Sequence, residues 1–170
     1  MGTIRSVKER YEKAYAALPE AIFNTVQRTS DVLLDLNRDQ LLQGRDADGK
    51  VLTPGYLQDD YFKTTESARR YLRKKIVLEE IHRLRMRFST GIQLYPGKNA
   101  NTPNLIVTGH FHDGFFINIT RDAYTISSSY DDADDINRKY NGRVYGLAPK
   151  SKQFYYFNYI RPTIKEVYGK

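Results

Sequence analysis

Gly109-His-Phe-His-Asp113 holds the residue types that bind a transition metal. Two neutral imidazoles and a carboxylate suit Zn or Mn. In an extended segment His110 and His112 would point to one side. A working centre needs further ligands, and the third histidine of the chain, His82, lies in a basic helix. Surface or packing histidines are the competing reading, and neither metal nor cofactor is expected. Asp46, Asp48 and Gly49 imitate part of a calcium loop. With Gly49 at the sixth place, Gly44 and Gly55 fall at the first and twelfth, where oxygen-donating side chains are required. The segment reads instead as an Asx-type turn. Tyr130-Asp-Asp-Ala-Asp-Asp135 could gather a cation, or Asp131 or Asp132 could cap the following helix, whose dipole favours acids in its first turn. No Ser-His-Asp spacing, phosphate loop or dinucleotide fingerprint occurs, so no catalytic residue is nominated.

Two segments stand out for binding rather than chemistry. The stretch from Arg69 to Arg87 carries Arg69, Arg70, Arg73, Lys74, Lys75, Arg83, Arg85 and Arg87 against Glu79 and Glu80, a balance of +6. It reads as a docking face for phosphates or for an acidic protein surface, or as a solvated helix face. Lys75, Arg83 and Arg87 are expected to lie off the apolar stripe of that helix. Phe154-Tyr-Tyr-Phe-Asn-Tyr159 packs five aromatics into six residues. Phe154 and Phe157 are assigned to the core, and Tyr155, Tyr156 and Tyr159 to a subunit interface.

The elements that must position these residues follow from periodicity. Thr3 to Thr29 reads as helix, with Ile4, Val7, Tyr11, Tyr15 and Leu18 on one face and a fresh start at Pro19. Asp31-Val-Leu-Leu-Asp-Leu36 is a short strand candidate. Residues 44–65 and 91–103 are loop or extended-arm segments. Glu66 to Phe88 is the clearest helix, capped by Thr64 or Thr65, with Val77, Ile81, Leu84 and Phe88 as its apolar stripe. Phe115 to Ser127 predicts a hairpin turning at Arg121-Asp122. Asp132 to Tyr140 is a short helix ending at Asn141-Gly142, and Lys150 to Tyr168 a final helix interrupted near Pro162. The order predicts one α+β domain over residues 1–170, a small antiparallel sheet with a hairpin packed on several helices.

Composition bounds the rest. The 170 residues suffice for one domain with its own core. The chain has no Cys, which excludes disulfides, thiolate metal sites and thiol catalysis and makes a cytosolic fold the expectation. The apolar runs are too short for a membrane span, and Met1 to Arg5 lacks a signal-peptide core. A net charge of +7 favours acidic partners, and 14 Tyr with 8 Phe favour buried interfaces.

The segment from Asn104 to Pro162 resembles the C-terminal half of tail completion and head–tail joining proteins of tailed bacteriophages. Leu105-Ile-Val-Thr108-Gly109, Phe111, the hairpin of Phe115 to Ser129, the helix Ile136 to Tyr140, Tyr145-Gly146 and Arg161-Pro162 carry the resemblance. Asp39-Gln-Leu-Leu-Gln-Gly44 followed by Asp46 to Gly49 is similar to an N-terminal feature of small prophage structural proteins. The basic helix and the loop from Gly91 to Pro103 are longer than that pattern. The resemblance implies a non-enzymatic α+β subunit of the virion, assembled in the host cytoplasm. It would form a ring with copies of itself, next to portal, connector or tail proteins and in reach of packaged DNA, with no membrane. The alternative is a small basic nucleic-acid-binding protein or ribonuclease-like toxin, using His82, Arg85, Arg87 or Tyr residues on RNA.

Overall fold

The computed structural model describes residues 4–85 and 92–169, and of residues 82–85 the backbone alone. The fold is α+β: a two-stranded antiparallel sheet set among helices. Helix α1 spans Ile4–Arg28 and α2 spans Ser30–Leu42. A 3₁₀ turn at Tyr56–Gln58 precedes α3, Thr65–Arg85. A single turn, α4 (His110–Asp113), leads into β1 (Phe115–Ile119) and β2 (Tyr124–Ser128). Then come α5 (Ala133–Lys139), α6 (Pro149–Tyr155), a π turn at Tyr156–Ile160, and α7 (Arg161–Gly169).

The hairpin forms as its alternation predicts. Phe115 pairs with Ser128 and Ile119 with Tyr124, and Phe115 and Ile126 turn inward. Thr64 does start α3, with its hydroxyl accepting the Ser67 amide at 3.1 Å. Asp132 occupies the position before α5, but its carboxylate makes no capping bond.

The strand expected at Asp31–Leu36 is instead the first half of α2. Leu33, Leu34, Leu36, Asn37, Gln40 and Leu41 are buried, a helical set in which two amides hold core positions. Those amides hid the period, because polar residues at core sites break an apolar stripe. The Asn37 amide donates to Val144 O at 3.0 Å and its carbonyl accepts Gly146 N at 3.3 Å. Gln40 donates to Gly146 O at 2.7 Å and Asp46 O at 3.4 Å, and accepts Ala148 N at 2.8 Å and the Ser151 hydroxyl at 3.1 Å. Gln40 thereby uses both donors and both acceptor directions of its amide.

Two apolar clusters meet across α2. Leu34 and Leu41 pack with Phe111, Phe115, Ile126, Tyr140 and Val144, while Leu33 and Leu36 pack with Leu147 and Tyr155. Helix α1 runs through Pro19 without restarting, since Pro19 lies on its exposed side. It lies along α7, where the Thr25 and Thr163 hydroxyls bond at 2.8 Å and the Tyr11 and Tyr168 rings are 5.8 Å apart. Pro162 sits in the first turn of α7, directly after the π turn, so the widened turn absorbs the donor that proline lacks and the chain stays helical.

Gln40→Leu should be among the most damaging isosteric substitutions in the chain. It strands the Ala148 amide and the Gly146 carbonyl in a buried place, at a cost of about 2–4 kcal/mol. A urea midpoint shift worth under about 1 kcal/mol would show that water substitutes for the amide.

Candidate functional site

The basic helix divides its cations between two environments. Arg69, Arg70, Arg73 and Lys74 are exposed, and Arg73 meets Glu66 at 3.3 Å. Lys75 is buried, which corrects its place on the docking face. Its ammonium donates to Asn104 Oδ1 at 3.1 Å and to the Ile106 carbonyl, and pairs with Glu79 at 3.1 Å. Lys98 reaches the other oxygen of Glu79 at 3.3 Å. Burial pushes the Lys75 pKa below the ordinary lysine value, against the upward pull of the Glu79 carboxylate. Position explains the difference. Ala68, Lys75 and the half-buried Tyr71, Leu72 and Glu79 recur at steps of three and four, and this stripe faces the body. Arg83 and Arg85 belong to α3, but their side chains, with His82 and Leu84, lie outside the described residues, as do Arg87 and Phe88.

The expected apolar stripe of α3 therefore faces solvent where it is described. Val77 is 57% exposed and Ile81 41%, with Ile76 and Leu78 exposed beside them. The segment 92–103 is tied to the body, as the Tyr95 amide donates to Gln43 Oε1 at 2.7 Å.

The C-terminal aromatics also divide differently from expectation. Tyr155 is core, not interface: its hydroxyl bonds Thr29 Oγ1 at 2.6 Å and its ring stacks on Tyr159 at 5.2 Å. Tyr159 is half-buried, and Tyr156 is exposed. Phe154 packs on the second cluster, but Phe157, assigned to the core, is exposed under the Arg161 guanidinium at 5.5 Å. The inward face runs Ser151, Tyr155, Tyr159, Thr163 at steps of four, a spacing that the π turn preserves.

His110 and His112 part company. Gly109, at φ 92°, turns the chain into α4 rather than a strand, so His110 is exposed and His112 fully buried. His112 Nε2 lies 2.9 Å from the Asn104 carbonyl, and its ring stacks on Phe115. Burial lowers its pKa to about 4, and the Arg38 and Lys75 charges act in the same direction. Among the described residues no group of three His, Asp or Glu side chains converges as a metal set. Asp46 Oδ1 accepts the amides of Asp48 at 2.9 Å and Lys50 at 2.8 Å, the bonding of an Asx turn.

One feature escaped the sequence reading. A cleft of about 270 Å³ opens between the segment before α3 and helix α5. Tyr56 and Tyr140 line it as buried rings, Phe62 and Tyr71 are half-buried, and Tyr61 and Val107 are exposed. The Phe62 and Tyr71 rings lie 5.0 Å apart and those of Tyr56 and Tyr71 5.6 Å. Burial raises the hydroxyl pKa values of Tyr56 and Tyr140, so both stay neutral donors. The Asp59–Lys139 ion pair closes one side. The signal was Tyr56-x₄-Tyr61-Phe62, three aromatics in what read as a plain loop. No family model, curated protein or solved structure matches the chain.

Two measurements follow from these placements. The unfolded chain binds a proton on His112 near the ordinary histidine pKa of 6.5, and the folded chain only near 4. The His112 contribution is therefore complete above about pH 6.5 and is lost as pH falls toward 4, on the order of 3 kcal/mol in all. His112→Leu should flatten that part of the stability–pH curve, and parallel curves for the two proteins would refute it. Lys75→Glu should cost about 3 kcal/mol or more, against under about 0.5 kcal/mol for Arg70→Glu. Equal urea midpoints for the two variants would mean that Lys75 reaches water.

Proposed function

We propose that this chain is a structural, non-enzymatic subunit of a tailed-bacteriophage virion. In this reading it belongs to the head–tail connector or upper tail, where copies close into a ring and meet portal, connector or tail proteins. The observation that carries the reading is the solvent-facing apolar side of α3, at Val77 and Ile81. A lone soluble subunit gains nothing from such a face, whereas an assembly covers it. Helix α1 supports the same reading. Tyr15 is 73% exposed and Ile4 91%, on a helix whose buried residues are Ala14 and Thr25. A helix of 25 residues is about 37 Å long, so α1 offers a long face to a neighbour. The exposed cations Arg69, Arg70, Arg73 and Lys74 suit either packaged DNA or an acidic neighbour.

Purified full-length protein at rising concentration should pass from monomer to one discrete oligomer. Sedimentation should show a single assembled species, and negative-stain images should show closed rings without nucleic acid. A monomer at every concentration that binds RNA with a steep salt dependence would instead favour the nucleic-acid-binding alternative.

A further inference from the structure

The wall of the aromatic cleft contains a backbone outlier. Leu105 lies at φ 60°, in the left-handed region that a bulky side chain avoids, and it lines the cleft together with Val107. Such a residue persists only where its surroundings fix it. The polar joint of α3 does so here. Asn104 Oδ1 accepts the Ile106 amide at 3.2 Å and the Lys75 ammonium at 3.1 Å, and Lys75 also donates to the Ile106 carbonyl. The Asn104 carbonyl lies 2.9 Å from His112 Nε2. Both chain neighbours of Leu105 are therefore held by buried groups, and the strained residue between them forms part of the wall. Backbone strain of this kind gathers at ligand sites.

The cleft also holds a donor with nothing to bond. Tyr140 is 7% exposed and lines the cleft, and its hydroxyl makes no hydrogen bond among the described residues. Burial raises its pKa, and Asp59 and Tyr71, both in the cleft, act in the same direction, so the hydroxyl stays a neutral donor. The charges present are closed on each other. Asp59 pairs with Lys139, and its Oδ1 also accepts the Tyr61 amide at 3.1 Å. An anion would have to take Lys139 from Asp59. A cation would meet Lys139 and a Tyr56 ring that already has the Lys75 ammonium 5.4 Å from its centre. The volume of about 270 Å³ suits a molecule of one or two rings, since a cavity of about 150 Å³ takes up benzene.

We propose that the cleft binds a small, uncharged aromatic molecule of one or two fused rings that carries a hydrogen-bond acceptor for the Tyr140 hydroxyl. The ligand lies among the Tyr56, Phe62 and Tyr71 rings, and Leu105 bounds it on the side of the polar joint. A peptide fits less well, because the Tyr61 and Phe62 amides at the rim are already bonded to Asp59. The site does not depend on the virion reading and stands or falls separately from it.

Quinoline and naphthalene share one shape, differ by one acceptor nitrogen and are both uncharged at neutral pH. Full-length protein titrated with quinoline and followed by ligand-observed NMR should show saturable binding of one molecule per chain. Naphthalene should bind more weakly. Tyr140→Phe should lower quinoline affinity roughly three- to tenfold, as expected for one hydrogen bond, and leave naphthalene unchanged. Tyr61→Ala alters an exposed ring at the entrance, so it should weaken both ligands while circular dichroism melting stays unchanged. That variant keeps the test independent of the fold. Absence of saturable binding would overturn the proposal, as would equal affinities for quinoline and naphthalene. Tighter binding of the N-methylquinolinium cation than of quinoline would also overturn it, by making the site a cation cage.

Discussion

The amide of Gln40 is the constraint on which the rest of the structure depends. It lies on a helix, but all of its bonds leave that helix, to Asp46, Gly146, Ala148 and Ser151. Asn37, one turn earlier, holds Val144 and Gly146 in the same way. The segment from Val144 to Ala148 pairs with no strand among the described residues, and α2 supplies the bonds that a sheet neighbour would give it. Fixing that segment sets the direction in which α6 leaves and the distance at which α5 arrives. It also joins the two apolar clusters, since α2 contributes Leu34 and Leu41 to one and Leu33 and Leu36 to the other. Buried amides cost desolvation unless every bond is made, so this joint tolerates one geometry.

A second polar joint holds α3. Lys75 satisfies Asn104 and the Ile106 carbonyl, and Glu79 balances its charge with help from Lys98. Asn104 links this joint to the buried histidine, because its carbonyl meets His112 while its side chain meets Lys75. The inward side of α3 thus spends its contacts on a charged group and on small or half-buried residues. Its large aliphatics at 76, 77, 78 and 81 remain outside. A helix anchored by polar bonds and left apolar on its far side keeps its shape without a partner and retains surface for one.

What the sequence disclosed followed from how local the cause was. The hairpin was legible because its alternation and turn are local, all lying between Phe115 and Ser128. The start of α3 was legible because Thr64 and Ser67 cap each other. Helix α2 was not, because Asn37 and Gln40 take core places by bonding residues more than a hundred positions away. Lys75 counted as one cation among eight until Asn104 and Ile106, about thirty residues on, turned out to be its partners. Tyr155 lies inward and Phe157 outward because the inward face follows Ser151, Tyr155, Tyr159 and Thr163, a partly polar stripe that a search for apolar residues passes over. The cleft combines rings from the segment before α3, from α3 and from α5, so only the fold assembles it.

Net charge and patch charge act at different ranges in such a molecule. A net +7 makes distant copies repel, and this holds exposed aliphatics apart in dilute solution. Salt screens that repulsion beyond about 8–10 Å, while apolar contacts are made at van der Waals distance and are not screened. At the two apolar surfaces charges occur in pairs, Arg73 with Glu66 on α3 and Lys139 with Asp59 at the cleft. Orientation is what a closed assembly needs most. The hydrophobic effect has no direction, and a bare apolar strip would accept any apolar neighbour.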